Sequence, residues 1–340
     1  MSRPQPFAGA ATLPGLEFGY APADTRARQL ADPHVLAVIG FGAHAPVLDD
    51  PRWLRVPLQP LGAQAAPIEV WRSAAPVRSG RDGDVAWSTD GNLLFGALEI
   101  DELDDGLEAA ARRAYARLGA FLAGGDMPHL LRIWNYMDAI TLGEEDAERY
   151  RRFCVGRVAG MEAFDAARLP AATAIGRHDG VRRLQVYWLA AREPGRPVEN
   201  PRQVSAYRYP RQYGPQAPSF ARAMLPPAGA SMPLLLSGTA AIVGHASQHS
   251  GSVQAQVDET LANLASLVDT ARRQSPELPA VLGAGSPLKV YVRDPSDAEA
   301  VATRLDASLD PSVPRLLLHA QVCRRELLVE IDGVHGAATT

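Results

Sequence analysis

The last strongly apolar segment of the chain, ELLVEIDG, contains an acid, Glu330, between two β-branched residues. Because side chains alternate along a strand, Glu330 should face away from Val329 and Ile331 and share a face with Leu328 and Asp332. If another layer covers that face, burial raises the carboxyl pKa above its ordinary value of about 4.3, and the group can donate a proton at neutral pH. Taken alone, the alternation favours a different interpretation, the solvated polar face of an edge strand.

Two arginines stand apart from the charge runs of the chain. Arg157 follows CVG and Arg222 follows PSFA, which are small or apolar segments. A guanidinium group binds a carboxylate through two parallel hydrogen bonds, so both residues are candidates for holding an anionic substrate. Any single arginine is more often at the surface, and the cluster of Tyr207, Tyr209 and Tyr213 is equally consistent with core packing.

The segment SGTAAIVGH contains small residues that would let a ring approach the main chain, or would serve tight strand-on-helix packing. These residues are Gly238, Ala240, Ala241 and Gly244. His245 and His249 flank the following loop, where they would polarise a substrate hydroxyl or simply be exposed. Cys154 and Cys323 match no metal-ligand spacing, so we expect no metal site.

The second half of the chain predicts the order strand, helix, strand, helix, strand, strand. Its first strand is PLLLSGTAAIVG, and apolar residues at helical spacing predict a long helix from Val253, with Ser252 as N-cap and Arg272 near its end. PLKVYVRD predicts a strand, and a short helix follows from about Asp297 to Ala307. RLLLHAQVC and ELLVEIDG are the last two strands.

The first half repeats the opening of that order. GNLLFGALEI and PHLLRIWNYMDAI predict strands, each followed by a helix, in GLEAAARRAYARLGAFLAGG and EEDAERYRRFCVGRVAGMEAF, and RRLQVYWLAAR predicts a later strand. The repetition indicates two tandem α+β units with mixed sheets packed against helices. We place the boundary in the Pro/Gly-rich segment around 192–202, giving domains of residues 1–195 and 196–340. Residues before about 85 are predicted to form irregular strands and loops.

Composition gives no reason to expect nucleic acid or a membrane as partner. The net charge is −4 with a pI near 6.1, and Arg149, Arg151 and Arg152 lie among acids in a pattern typical of a solvated helix face. With no secretory signal and no apolar run of about 18 residues, we expect a cytoplasmic protein with reduced thiols.

The second unit resembles the YjgF/RidA superfamily in Leu236–Ser237–Gly238, Gln256, Arg315 and Val329–Glu330–Ile331. The whole chain more specifically resembles the chorismatases, which carry two such units in tandem. The segments that support this resemblance occur in order over roughly residues 130 to 333: RIWNYM, RYRRFCVGR, ENPRQVSAYRYPRQYGPQAPSFARA, SGTAAIVGH and CRRELLVEIDG.

Chorismatases remove the enolpyruvyl group of chorismate as pyruvate, and the family uses no metal and no organic cofactor. This agrees with the lack of a phosphate loop, a dinucleotide fingerprint or a Cys/His cluster in the sequence. The resemblance implies that Glu330 protonates the enolpyruvyl methylene. It also implies that the substrate carboxylates are held by Arg157, Tyr209 and Arg222, with Tyr213 as a companion, and that Gly238, Ala240 and Ala241 lie beside the substrate.

Cys323 bears on the product. The family branch that forms 3-hydroxybenzoate has Cys at the start of the CRxxLLVE segment, and the branch that hydrolyses chorismate to a dihydroxycyclohexadiene carboxylate has Ala. A poorly solvating thiol would exclude water, so that a ring hydroxyl captures the cation. The 3-hydroxybenzoate branch also tends to have Gly in the SGTA strand, where this chain has Ala240 and Ala241. A third branch yields both 3- and 4-hydroxybenzoate.

We therefore expect cleavage of chorismate to pyruvate and 3-hydroxybenzoate, with or without 4-hydroxybenzoate. The alternatives are the diene-forming hydrolase, an enamine/imine deaminase like single-domain RidA proteins, and a non-catalytic ligand-binding or assembly protein. A binding or assembly protein would be consistent with this fold, which often forms trimers. The sequence does not decide between a monomer and a trimer.

Overall fold

The structure, a computed structural model, describes residue 4 and residues 14–62, 66–161 and 165–338 of the 340-residue chain. Its helices are α1 (Arg26–Ala31), α2 (Gly106–Ala123), α3 (Arg149–Gly160), α4 (Val253–Arg272) and α5 (Ala298–Ser308). Its strands are β1 (Leu16–Ala21), β2 (Val35–Phe41), β3 (Trp53–Val56), β4 (Gln59–Pro60), β5 (Ile68–Ser73), β6 (Arg78–Asp82), β7 (Val85–Thr89), β8 (Leu93–Asp101), β9 (His129–Asp138), β10 (Ala171–Arg177), β11 (Arg183–Ala191), β12 (Arg196–Val198), β13 (Ala223–Leu225), β14 (Leu234–Ala240), β15 (Ile242–Val243), β16 (Ala246–Ser247), β17 (Leu288–Val292), β18 (Arg315–His319) and β19 (Val329–His335).

The two larger sheets repeat one topology. The six-stranded sheet has the order β10-β9-β11-β8-β7-β6, and the seven-stranded sheet has β18-β17-β19-β14-β13-β12, with β4 added beside β18. In each, one parallel pair, β9 with β10 or β17 with β18, lies in an otherwise antiparallel sheet. The predicted architecture, two tandem α+β units with mixed sheets packed against helices, is confirmed. The division at residue 195 falls between β11 and β12 and stays a prediction.

Before residue 85 we predicted irregular strands and loops, and the structure shows strands there that pair in a regular sheet. Strands β1, β5, β2 and β3 form a four-stranded sheet, in which β2 and β3 are parallel and the other pairs antiparallel. This is the order and orientation of β8-β11-β9-β10 in the six-stranded sheet. Their regular pairing was not predicted, because the strands are short and separated by Pro- and Gly-rich turns. Only β2 is a long apolar run, and all seven of its residues are buried.

The three sheets turn their inner faces toward one core. Trp71 comes from the four-stranded sheet, Trp134 and Tyr187 from the six-stranded sheet, and Tyr291 from the seven-stranded sheet, all buried in one cluster. The rings of Trp134 and Tyr187 stack with centroids 4.6 Å apart. The outer faces are covered by helices, α2 and α3 on the six-stranded sheet, and α4 and α5 on the seven-stranded sheet. None of the helices in the described ranges is long and apolar enough to span a membrane.

Strand alternation places the chemistry of β19 on the inner face. Val329 and Ile331 pack under α4 and α5, and Glu330 and Asp332 point to the opposite side, in the alternation that the sequence predicts. The strand begins at Val329 rather than earlier in ELLVEIDG. Leu327, two residues before it, packs in a separate small apolar cluster. Residues 162–164, at the end of the segment predicted as the helix α3, lie outside the described residues.

Candidate active site

A cavity of about 420 Å³ lies where the two larger sheets meet. The sheets are joined there by a β-bridge between Ala171 and Ala221 and by the hydrogen bond that the Ala172 amide donates to Ser237 Oγ, 2.9 Å long. The wall takes residues from both units, Arg157 and Thr173 from the first and Glu330 from the second. A cavity of this size holds a small molecule.

Glu330 lies on the cavity wall and is only 5% exposed. Its strand, β19, lies between β14 and β17, so the interpretation as a solvated edge strand is wrong. Burial, with a smaller contribution from Asp332, raises the pKa of the carboxyl group to about 8, against the opposing effect of Arg132, Arg222 and Arg293. Glu330 is therefore largely protonated at neutral pH, the state in which a carboxyl group can act as an acid.

Gly238 makes room for that carboxyl group. The pairing of β14 with β19 shifts register between Leu236 and Thr239, and Gly238 lies in this irregular stretch. A Cβ at position 238 would overlap Glu330 Oε1 and lie 2.9 Å from Glu330 Cδ. The small residue predicted to let a ring approach the main chain thus has a second reason to be glycine, the position of Glu330 itself.

Arg157 enters the cavity from α3, which packs closely on α2. A Cβ at Gly156 would overlap Glu108 O and one at Gly160 would lie 2.5 Å from Arg112 O, so two glycines one turn apart allow the contact. Arg157 is 3% exposed, with its guanidinium carbon 5.0 Å from the centre of the Tyr115 ring. Its Nε and Nη2 have no hydrogen-bond partner among the described residues. Two buried, unpaired N–H groups are suited to a carboxylate.

Arg222 approaches from the segment before β13 and is 4% exposed. Its Nη2 donates to the carbonyl oxygen of Val204 and to the hydroxyl of Tyr209, both at 2.8 Å. Its Nε has no partner within the described part of the chain. Tyr209 and Tyr213 both line the cavity, with ring centroids 5.4 Å apart.

The histidines and Ala241 do not line the cavity. His245 Nδ1 lies 3.1 Å from the hydroxyl of Tyr213, so it contacts a cavity residue rather than the cavity. His249 faces Glu259 at 3.2 Å. Ala240 is on the wall, whereas Ala241 packs behind it in a cluster with Val322 and others. No group of three or more His, Cys, Asp or Glu among the described residues is arranged to hold a metal ion.

Comparisons with known proteins bear on this site. A chorismatase from Streptomyces hygroscopicus is 38% identical over 274 residues, 78% of this chain and 78% of the relative. The chain belongs to the chorismatase family. A 3-hydroxybenzoate synthase from the same organism is 36% identical over 279 residues, 78% of this chain and 80% of the relative. A family profile described as chorismatase FkbO/Hyg5-like, N-terminal, matches residues 69–190. A crystal structure of a chorismatase, 32% identical, superimposes with a TM-score of 0.84, covering 96% of this chain and 100% of that one.

In this chorismatase, Cys323 lies on the cavity wall just before β19. Burial raises the pKa of its thiol above the ordinary value, and the neighbouring Glu330 adds to that effect. The thiol is therefore neutral at physiological pH.

Sequence reasoning missed several wall residues, namely Tyr150, Arg151, Thr173, Phe220 and Arg324. Arg151 and Arg324 lie in charge runs, RYRR and CRRE, and the first of these was interpreted as a solvated helix face. The guanidinium of Arg324 lies 4.0 Å from the centre of the Tyr213 ring, which places it at the cavity. Thr173 gives no signal in the apolar segment AATAIG, because only the fold brings it beside Glu330.

Proposed function

We propose that this chain cleaves chorismate to pyruvate and 3-hydroxybenzoate, with Glu330 as the acid. The observation that carries the proposal is a carboxyl group that is buried in a cavity and has a pKa near 8. The names of the relatives, chorismatase and 3-hydroxybenzoate synthase, supply the substrate and the product.

The chemistry of an enol ether explains why such an acid is needed. Cleavage starts with a proton delivered to the terminal methylene carbon, which leaves an oxocarbenium-like cation. A carboxyl group that is neutral at pH 7 can deliver this proton, whereas an ordinary glutamate is ionised. Capture of the cation by a ring hydroxyl and aromatisation give pyruvate and 3-hydroxybenzoate, which together contain the atoms of chorismate. Capture by water gives pyruvate and the diene, and takes up one water molecule.

Chorismate carries two carboxylates, and the cavity offers buried cationic donors for them. Among the described residues, Nε and Nη2 of Arg157 and Nε of Arg222 have no hydrogen-bond partner, and Arg222 Nη2 donates to the Tyr209 hydroxyl. These fixed donors favour a dianion in a site shielded from water. We assign Arg157, Arg222, Tyr209 and Tyr213 to substrate binding.

Cys323 lies where it can influence which oxygen captures the cation. A neutral thiol beside Glu330 fills space that a water molecule would otherwise take, and it forms only weak hydrogen bonds with water. This supports ring-hydroxyl capture, with 4-hydroxybenzoate as a second product that the same cavity allows.

The test is incubation with chorismate, with pyruvate assayed and the aromatic acids separated. We expect 3-hydroxybenzoate and pyruvate in equal amounts, and Glu330→Gln should lower kcat by about 10³-fold. Glu326→Gln, which changes another glutamate of the cavity wall, is the control and should stay within a few fold of the parent.

Three other results would change the proposal. Pyruvate without an aromatic acid would make the chain a diene-forming hydrolase. Deamination of an enamine by both the parent and Glu330→Gln, without pyruvate from chorismate, would favour the RidA-like activity. Chorismate binding without turnover would leave a binding protein.

A further inference from the structure

Four charged side chains lie in a row at the centre of the molecule, where the three sheets meet. They are Arg132 on β9, Asp332 on β19, Lys289 on β17 and Glu69 on β5, each at most 3% exposed. Arg132 Nη2 lies 3.1 Å from Asp332 Oδ2, and Lys289 Nζ lies 3.7 Å from Asp332 Oδ1 and 3.0 Å from Glu69 Oε2. The row alternates in sign and spans all three sheets.

Stability does not explain this row of buried charges. Removing charges from water costs several kcal/mol per ion. A protein in which apolar residues of similar size replace a buried ion pair is often as stable as the original or more stable. The surrounding rings of Trp71, Trp134 and Tyr291 show that the core otherwise uses aromatic packing. The buried charges are therefore better explained by a role in function than by a role in stability.

The row and its neighbours surround the Asp332 carboxyl group with donors. Its Oδ2 accepts four hydrogen bonds, which come from Arg132 Nη2, Trp134 Nε1, Thr173 Oγ1 and Tyr291 OH at 2.7 to 3.1 Å. Burial alone would lower the pKa of Lys289, but Asp332 and Glu69 raise it above its ordinary value, so Lys289 stays charged. Donors and cations on both sides stabilise the Asp332 carboxylate.

Asp332 and Glu330 share one face of β19 and have opposite surroundings. Glu330 has no hydrogen-bond partner among the described residues, in contrast to the four donors of Asp332. Thr173 lies between Arg132 and Asp332, since its hydroxyl accepts from Arg132 at 2.6 Å and donates to Asp332 at 2.7 Å. A Cβ added at Gly238 would lie 3.3 Å from the same Oγ1 and would also overlap Glu330 Oε1.

We propose that Asp332 is a positioning residue whose fixed negative charge, held by Arg132 and linked through Lys289 to Glu69, keeps Glu330 in its acid form. The N-terminal four-stranded sheet, which supplies Glu69, is then part of the catalytic apparatus although it lies far along the chain from Glu330. This inference rests on the proposed role of Glu330 as the acid. It explains why these charges are buried, which the binding of substrate by Arg157 and Arg222 does not explain.

Other groups also face Glu330 and must be considered in any pH dependence. They are Asp332 on its own strand, Arg132 on β9, Arg222 before β13, Arg293 after β17, Tyr150 on α3 and Cys323 before β19. The arginines oppose protonation of Glu330, and Asp332 is the acid among them that favours it. Removing Asp332 therefore shifts the balance toward ionised Glu330.

The experiment is a pH–rate profile of pyruvate release for two variants. Cleavage needs protonated Glu330, so the parent rate falls as pH rises through the Glu330 pKa. Asp332→Asn should move this alkaline limb to lower pH by at least one unit, with much of kcat recovered at acidic pH. Glu69→Gln, a milder change at the far end of the row, should give a smaller acid shift.

Asp90→Asn is the matched control. Asp90 is also buried, and it accepts hydrogen bonds from the Asn92 and Leu93 amides, away from the cavity. Its variant should keep the parent profile. Uniform loss of kcat in the Asp332 and Glu69 variants, with no displaced limb, would reduce the row to a structural role and overturn the proposal. If Asp332→Asn does not fold, the Glu69→Gln variant still decides, by the presence or absence of its acid shift.

A second measurement separates this inference from the proposed function. The C=O stretch of protonated Glu330 can be followed against pH by infrared difference spectra between each protein and its Glu330→Gln counterpart, without substrate. A midpoint that falls in Asp332→Asn supports the inference even if the parent does not cleave chorismate. An unchanged midpoint refutes it even if the parent is an active chorismatase.

Discussion

At the scale of single residues, two carboxyl groups two positions apart on β19 have opposite surroundings. Asp332 is surrounded by four donors, whereas Glu330 lies in a cavity, has no donor in the described part of the chain and has a pKa near 8. A proton donor and a fixed charge can therefore come from the same residue class on the same strand face, because their neighbours differ.

The protonation of Glu330 also has a consequence for stability. The native state holds this proton up to about pH 8, whereas the unfolded chain releases it near 4.5. The stabilisation is complete below the unfolded pKa and is lost as pH rises through the folded pKa. Gln mimics the neutral acid at every pH. The free energy of unfolding of Glu330→Gln should therefore exceed that of the parent by an amount that grows between pH 5 and 9, on the order of 4 kcal/mol.

Denaturant unfolding of both proteins at pH 5, 7 and 9 measures this difference. Glu326→Gln serves as the control and should track the parent at all three values. If the parent and Glu330→Gln differ by the same amount at every pH, Glu330 is not held protonated in the folded protein.

Cys323 is the residue at which the product should change. Cys323→Ala removes a sulfur atom from the cavity wall and leaves space for water near the cation. We expect the ratio of diene to aromatic acid to rise at least about tenfold, with total pyruvate release within about tenfold of the parent. Cys154→Ala, which changes the buried cysteine of α3, should leave the ratio unchanged. An unchanged ratio in Cys323→Ala would remove the thiol from product control.

At the scale of elements, periodicity predicted what local sequence determines. The helix α4 spans Val253–Arg272 as predicted, with the Ser252 hydroxyl accepting from the Ala255 amide at 3.3 Å. The inward direction of Glu330 also follows from alternation. Its burial does not, because the covering sheet comes from the other unit, and the interpretation of β19 as an edge strand failed for that reason.

The site was predictable only where a residue carried its own signal. Arg157 and Arg222 stood out by their apolar surroundings, and both line the cavity. Arg324 was hidden in a charge run, and Thr173 and Asp332 in strands, since their importance arises from contacts across 159 residues of chain. The family resemblance supplied roles that the pattern alone left open.

The fit between β14 and β19 gives the element-scale prediction. In Gly238→Ala the new Cβ overlaps the end of the flexible Glu330 side chain rather than backbone, so the carboxyl group moves and the fold stays. We expect kcat to fall at least about 100-fold, as for a displaced acid, with little change in the thermal unfolding midpoint. Gly19→Ala, a strand glycine with nothing within 4 Å of its added Cβ, should keep full activity. Normal turnover in Gly238→Ala would mean that the Glu330 position is not critical.

At the scale of the whole molecule, three sheets of related topology surround one core. The four-stranded sheet repeats the order of β8-β11-β9-β10, so the chain contains two full units and a reduced one. The cavity forms at one junction between units, and the buried charge row crosses the place where all three meet. Each unit thus depends on the others both for its core and for its chemistry.

This dependence predicts how the chain behaves when it is cut. A break between Glu193 and Pro194 falls in an exposed loop between β11 and β12 and removes no residue of the cavity wall. Either fragment alone exposes inner-face residues such as Trp134 or Tyr291, so each should aggregate or fail to bind chorismate. Co-expressed fragments should assemble and recover activity within about tenfold of the intact chain, because burial of the shared core drives association. Pyruvate release and gel filtration of each fragment and of the pair test this, and an active single fragment would show that one unit holds the whole site.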